Sequence, residues 1–259
     1  MKTIGFGTGR IGEAFDEIKN NGDTAISFFP HHMHYPSQVL QAIKHYNGAE
    51  ETIPPGLLYL ISEASLVNSA TRPGYLKHHK NEVKEYAGFI DKHDRFVIEI
   101  SELDELTYDE HFYTEYFATK DLRTYQSHLE LLSSYGQIEI VRPFEVIERR
   151  IPDSYLISVM SEISRVLDEK PILWVSHFDA SAPEEVRNAR RRCIDVVKRG
   201  AKTSGGSFFD PTNVIFKLGQ SAALKDDGRD LSHYSAMATS CVAEVLECWT
   251  KGQNHPWIV

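Results

Sequence analysis

The chain has 259 residues, 41% hydrophobic and 25% charged, with a formal net charge of −9. Such a length supports a full apolar core, and the ordinary composition excludes a disordered or fibrous chain. The acidic balance excludes non-specific binding to nucleic acid or anionic lipid. No run approaches the roughly 20 apolar residues of a membrane span, and "MKTIGFG" has no signal-peptide hydrophobic region. Three cysteines, Cys193, Cys241 and Cys248, occur without a C-x-x-C pair. That usage fits a reducing compartment, so a cytoplasmic protein without nucleic-acid partner or membrane span is expected.

Strand-like and helix-like segments alternate along the chain. "KTIGFGT" reads as a first strand and "RIGEAFDEIKNNG" as a helix with Ile11, Phe15 and Ile18 on one face. "TAISFFPHH" reads as a second strand stopped by Pro30, and "PSQVLQAIKHYNG" as a helix opened by Pro36 and Ser37. Residues 52–92 are irregular, then charged and helix-like. "RFVIEIS" has the β-branched density of a buried central strand. "FYTEYFATKDLRTYQSHLELLSSYG" reads as a long helical region, with Phe112, Tyr113, Tyr116, Phe117 and Tyr125 forming a core or oligomer face. "QIEIVRPFEVI" reads as a further strand or edge extension, and "DSYLISVMSEISRVLDE" as a helix with Asp153 as N-cap.

"PILWVSHFD" is a fourth strand, and "APEEVRNARRRCIDVVKRG" a helix with acid early and base late. Its "RNARRRC" stretch is the best local basic patch and reads as a solvated helix face. "GGSFFDPTNVI" supplies a fifth strand and its exit loop, and "SHYSAMATSCVAEVLECW" the closing helix, with Cys241 and Cys248 as core thiols on one face. Five strands alternating with helices predict an α/β, three-layer α/β/α fold around a mostly parallel five-stranded sheet. A single domain over 1–259 is expected, elaborated at about 52–92 and 102–150.

Gly7, Gly9 and Gly12 spell G-x-G-x-x-G between a strand and a helix, the context of a dinucleotide loop. The acid that should follow strand two is missing, since that position reads Phe28-Phe29-Pro30-His31-His32. An NAD(P)-dependent oxidoreductase is therefore an alternative only. His31, His32 and His34 lack further ligands at metal-site spacing, so no metal is expected, and these histidines are expected to line the cleft mouth or simply to pack there.

Near the other end, "DDGRDLSHYS" sets Asp230 three residues before His233. That spacing lets the carboxylate reach Nδ1, fix the tautomer and leave Nε2 as a general base. Loops at the carboxyl ends of parallel strands gather on one edge, so this loop and the glycine turn can meet.

These two blocks resemble those of the SGNH (GDSL-like) hydrolases. In that family a nucleophilic serine follows strand one and an Asp-x-x-His precedes the last helix. One branch carries Gly-Ser-Cys-Arg in its first block, where this chain has Gly7-Thr8-Gly9-Arg10; "VIEISEL" and "FFDPTNVI…DDGRDLSHYS" are also similar. The resemblance implies a flavodoxin-like strand order 2-1-3-4-5. It also implies an esterase or O-acyltransferase acting on a carbohydrate or cell-surface glycan precursor.

Thr8 would be nucleophile, His233 base and Asp230 orienter, with the Thr8 and Gly9 amides as oxyanion donors. Arg10, Ser101, His31 and His177 are candidate oxyanion or substrate contacts, and Asn68 and Asn213 weaker amide candidates. No cofactor is implied, except acyl-CoA as donor if the reaction is a transfer. The chain departs from the family in Thr8, which is stiffer at χ1 than serine, and in lacking a Gly-x-Asn-Asp block. A non-catalytic ligand-binding domain on the same scaffold is the other alternative.

Overall fold

In a computed structural model of the chain, the described residues are 1–22, 25–47, 87–108, 111–112 and 147–259, without the side chains of 30–32, 106–108, 111–112 and 147–149. The chain begins with β1 (Thr3–Gly7), α1 (Gly9–Asn20), β2 (Ile26–His32) and α2 (Pro36–Tyr46). After the short α3 (Phe89–Lys92) come β3 (Arg95–Ile100), β4 (Asp104–Tyr108), β5 (His111–Phe112) and β6 (Ile147–Arg150). Then follow α4 (Asp153–Val166), β7 (Ile172–Ser176), α5 (Glu184–Thr203) and β8 (Ser207–Phe209). The last elements are α6 (Thr212–Leu218), α7 (Gln220–Ala223) and α8 (Ala236–Thr250).

β2, β1, β3, β7 and β8 lie in that order in one parallel sheet, the expected 2-1-3-4-5 order among its five strands. Side chains alternate between its faces, as the strand period of two requires. Phe96, Ile98, Ile100, Ile172 and Trp174 join one apolar layer with α2, α4 and α5. Val97, Leu173 and Val175 join the other with α1, α6 and α8. Helices on both faces make this a three-layer α/β/α fold, and α1 packs directly against α8. Within the 102–150 elaboration, β4, β5 and β6 form a separate antiparallel sheet of order β5-β4-β6.

Several local expectations are corrected. β2 continues through Pro30 to His32, because it is an edge strand and its register with β1 shifts between Gly5 and Gly7, where a missing N–H is tolerated. Phe112 lies in β5 rather than at a helix start; Tyr113, Tyr116, Phe117, Tyr125 and Asn68 lie outside the described residues. Pro152 caps α4, while Asp153 pairs with Arg192 at 2.9 Å and Arg199 at 2.7 Å from α5. Cys241 and Cys248 are only partly buried, whereas Cys193 is buried. "RNARRRC" is not all solvated: Arg190 turns inward.

The glycines of the first turn serve packing. A Cβ on Gly7 would come within 2.6 Å of Glu99 Cβ, and one on Gly12 within 3.1 Å of the Phe28 ring. Among the described residues, no helix is long and apolar enough to cross a membrane.

Candidate functional site

β1 ends at Gly7 and α1 begins at Gly9, leaving Thr8 in the turn with extended backbone. Its side chain does not cap α1. Both its amide, at 2.7 Å, and its hydroxyl, at 2.6 Å, donate to Glu99 Oε2. Glu99 lies two residues after Val97 on β3 and so shares its face, on the α1 side of the sheet near the carboxyl end of the strand. The other carboxylate oxygen, Oε1, accepts from Arg10 Nε at 3.0 Å and pairs with Nη2 at 2.9 Å. A fully buried carboxylate is stable only with such partners, and here both oxygens are doubly engaged.

Arg10 extends this cluster. Its Nη1 donates to His177 Nε2 at 2.8 Å and reaches the Ser232 carbonyl at 3.4 Å. His177 Nδ1 is 2.9 Å from the Phe178 carbonyl, which can only accept, so Nδ1 carries the hydrogen and Nε2 is the acceptor. Burial, then the charges of Arg10 and Arg190, pushes the His177 pKa well below its ordinary 6.5. The ring is neutral at physiological pH and its one basic nitrogen is occupied. Burial works against the Arg10 cation, but Glu99 outweighs it, with smaller help from Tyr234 and Glu102, and the Arg10 pKa rises.

The Asp230–His233 loop lies beside this cluster. Asp230 Oδ1 accepts the Ser232 amide at 2.8 Å and the His233 amide at 3.1 Å, while Oδ2 is 2.8 Å from His233 Nδ1. The carboxylate can only accept, so Nδ1 is protonated and Nε2 is the basic nitrogen. Burial opposes the Asp230 charge, but hydrogen bonds from Ser232 and His233 outweigh it and hold its pKa below the ordinary 3.8. The His233 side chain is 56% exposed and open to an incoming group.

The structure thus joins Thr8 to Arg10 through Glu99, and Arg10 in turn to His177 and, through Ser232, to the Asp230–His233 loop. Gly9 is the first residue of α1, where a helix amide has no intrahelical acceptor. Ser101, two residues beyond Glu99, uses its amide on the His34 carbonyl at 2.8 Å and its hydroxyl on His34 Nδ1 at 3.1 Å. It braces the loop after β2 rather than joining the Thr8 cluster. Asn213 Nδ2 donates to the Asp210 carbonyl at 3.0 Å, within its own helix start. The side chain of His31 lies outside the described residues. Among the described residues, no group of three or more His, Cys, Asp and Glu side chains is placed to hold a metal ion.

Two participants escaped the motif-based reading. Glu99 was visible as the one charge inside "FVIEI", which in a central strand demands a buried partner. Arg190 carried no distinguishing signal within an arginine-rich helix.

Residues 139–246, less than half of the chain, match the family model described as the TviD N-terminal domain. That segment contains His177, Arg190, Asp230 and His233 but not Thr8, Arg10 or Glu99. A curated relative, the Vi polysaccharide biosynthesis protein TviD of Salmonella typhi, is 32% identical over 98 residues, covering 37% of this chain and 12% of that protein. No solved structure matches the chain. Over the segment that carries the Asp230–His233 pair, the chain is therefore similar to the N-terminal domain of a polysaccharide biosynthesis protein.

Proposed function

We propose that the chain is an O-acyl ester hydrolase or O-acyltransferase acting on a carbohydrate, with its site between the Thr8 turn and the Asp230–His233 loop. The observation that carries this reading is the Asp230–His233 pair. A carboxylate fixes the imidazole in the tautomer a general base needs, on an exposed loop anchored to the Thr8–Glu99–Arg10 cluster. The carbohydrate part is supported by the polysaccharide biosynthesis relative.

In this reading Thr8 Oγ1 attacks the ester carbonyl, His233 takes the hydroxyl proton, and Asp230 stabilises the imidazolium. The ester C–O bond breaks, the departing alcohol takes the proton back from His233, and the acyl group rests on Thr8. Water, or a sugar hydroxyl in a transferase, then removes it by the reverse proton path. An acyl-CoA thioester would be the donor for transfer. For attack, the Thr8 hydrogen must leave Glu99 Oε2 for His233. Since the Thr8 amide is already committed to Glu99, oxyanion donation falls to Gly9 rather than to both.

The test is hydrolysis of p-nitrophenyl acetate and release of acetate from acetylated polysaccharide. His233→Ala should lower kcat by at least about 10²-fold, in line with loss of a positioned base. Full activity in that variant would sink the reading.

A second reading, a ligand-binding cleft without acyl chemistry, is favoured by the commitment of the Thr8 hydroxyl to Glu99. The oxidoreductase alternative is less well supported, because the Glu99 carboxylate occupies the turn amide that a pyrophosphate would use. Thermal protection by NAD(P) but not by acyl esters would restore it.

A further inference from the structure

We propose that Arg10 and Arg190 are paired positioning residues for His233, each holding one carbonyl of the segment between Asp230 and His233. The inference rests on the reading of His233 as the base. Arg190, on α5, donates from Nη2 to the Leu231 carbonyl at 2.6 Å. Arg10, on α1, reaches the Ser232 carbonyl from Nη1 at 3.4 Å. Both guanidinium groups lie over the ring of Phe178, with Cζ at 5.1 Å for Arg190 and 5.5 Å for Arg10. The two consecutive carbonyls are thus held from the inside by cations, while Asp230 holds the amides of Ser232 and His233.

This arrangement is costly, which is the reason to assign it a purpose. Two like charges sit together against one aromatic ring. Arg10 has Glu99 as counter-charge, but Arg190 has no carboxylate in contact with it among the described residues. Its Nη1 is buried without a hydrogen-bond partner. Asp179, whose charge favours the Arg190 cation, is already paired with Arg187 at 3.8 Å and Arg191 at 2.8 Å. A leucine or methionine would fill the space beneath the loop at lower electrostatic cost. What an apolar side chain cannot do is bond a carbonyl, and bonding carbonyls fixes the peptide planes from which His233 departs.

A base displaced by about 1 Å loses about 10²-fold in rate, so rigidity at this point is worth an unfavourable burial. Arg10 also grips Glu99, which holds Thr8. The same side chain therefore ties the turn bearing the nucleophile to the loop bearing the base.

The test compares Arg190→Met, which fills the site without bonding the carbonyl, with Arg190→Lys, which restores one donor. Hydrolysis of p-nitrophenyl acetate is measured alongside amide hydrogen exchange over residues 229–234. In Arg190→Met, kcat should fall 10- to 100-fold with KM changed less than about threefold, and loop exchange should rise at least about tenfold at unchanged global unfolding. Arg190→Lys should recover part of both. Unaltered kcat and unaltered loop exchange in Arg190→Met would overturn the proposal, as would equal loss of exchange protection throughout the chain.

Absence of hydrolysis in the wild type, or full activity in His233→Ala, would overturn the base assignment and with it the catalytic purpose of the clamp. The exchange measurement would still decide whether the two arginines order the loop.

Discussion

Thr8 gives its hydroxyl hydrogen to Glu99 across 2.6 Å, and the same carboxylate oxygen takes the Thr8 amide. The side chain offered as nucleophile is therefore locked in one rotamer by a buried acid. The lock serves the turn as structure and would have to open for chemistry.

Replacing Thr8 separates these two roles. Thr8→Val keeps the shape and removes the donor, and should cost about 1.5–3 kcal/mol of stability, as for a hydrogen bond to a charged group. It should also abolish ester turnover. Thr8→Ser keeps the bond, and should leave the urea midpoint nearly unchanged while retaining turnover. Ester hydrolysis at wild-type rate in Thr8→Val would remove Thr8 from the chemistry.

The buried ion pair makes Glu99 a stability determinant. Glu99→Gln leaves the Arg10 cation without its counter-charge in the interior, an error that typically costs about 3–5 kcal/mol. Gly7→Ala should act at the same place, since its Cβ would meet Glu99 Cβ at 2.6 Å. Equilibrium urea unfolding of both variants reads the loss; a shift under about 0.5 kcal/mol in Glu99→Gln would show the pair to be unimportant for folding.

Acid should weaken the fold through His177. Its folded pKa lies well below the ordinary 6.5, so the unfolded chain binds a proton at higher pH than the folded one does. Stability from this group is complete above about pH 6.5 and is lost as pH falls below it. His93, half-buried and also depressed by burial, contributes in the same direction. Melting temperature should therefore fall between pH 7 and 5, and His177→Gln should flatten that slope. Parallel wild-type and variant curves would argue against a buried neutral His177.

Thiol chemistry should discriminate among the cysteines. Burial pushes the Cys193 pKa up to about 12, and its sulfhydryl lies 3.3 Å from the Ile100 carbonyl. Iodoacetamide at pH 8 should label Cys241 and Cys248 in the native protein and leave Cys193 intact until denaturant is added. Peptide mass spectrometry reads the outcome directly.

The sheet was legible because its strands are short apolar runs set between helices of clear amphipathic period. "RFVIEI" and "PILWVS" became β3 and β7 as neighbours, in the strand order that the family resemblance implied. The Asp230–His233 pair was legible because its spacing is local. Glu99 and Arg190 act across 91 and 41 positions in sequence, and such pairing is set by the finished packing. Pro30 misled for a related reason: whether a proline ends a strand depends on where that strand lies in the sheet, which β2 itself does not encode.

The contact between α1 and α8 bears on synthesis. The turn carrying Thr8 is translated more than two hundred residues before the loop carrying His233. Until that loop is made, Arg10 lacks the Ser232 carbonyl and Arg190 lacks the Leu231 carbonyl. The cluster is therefore completed late in synthesis, by a segment far removed in sequence from the turn it joins.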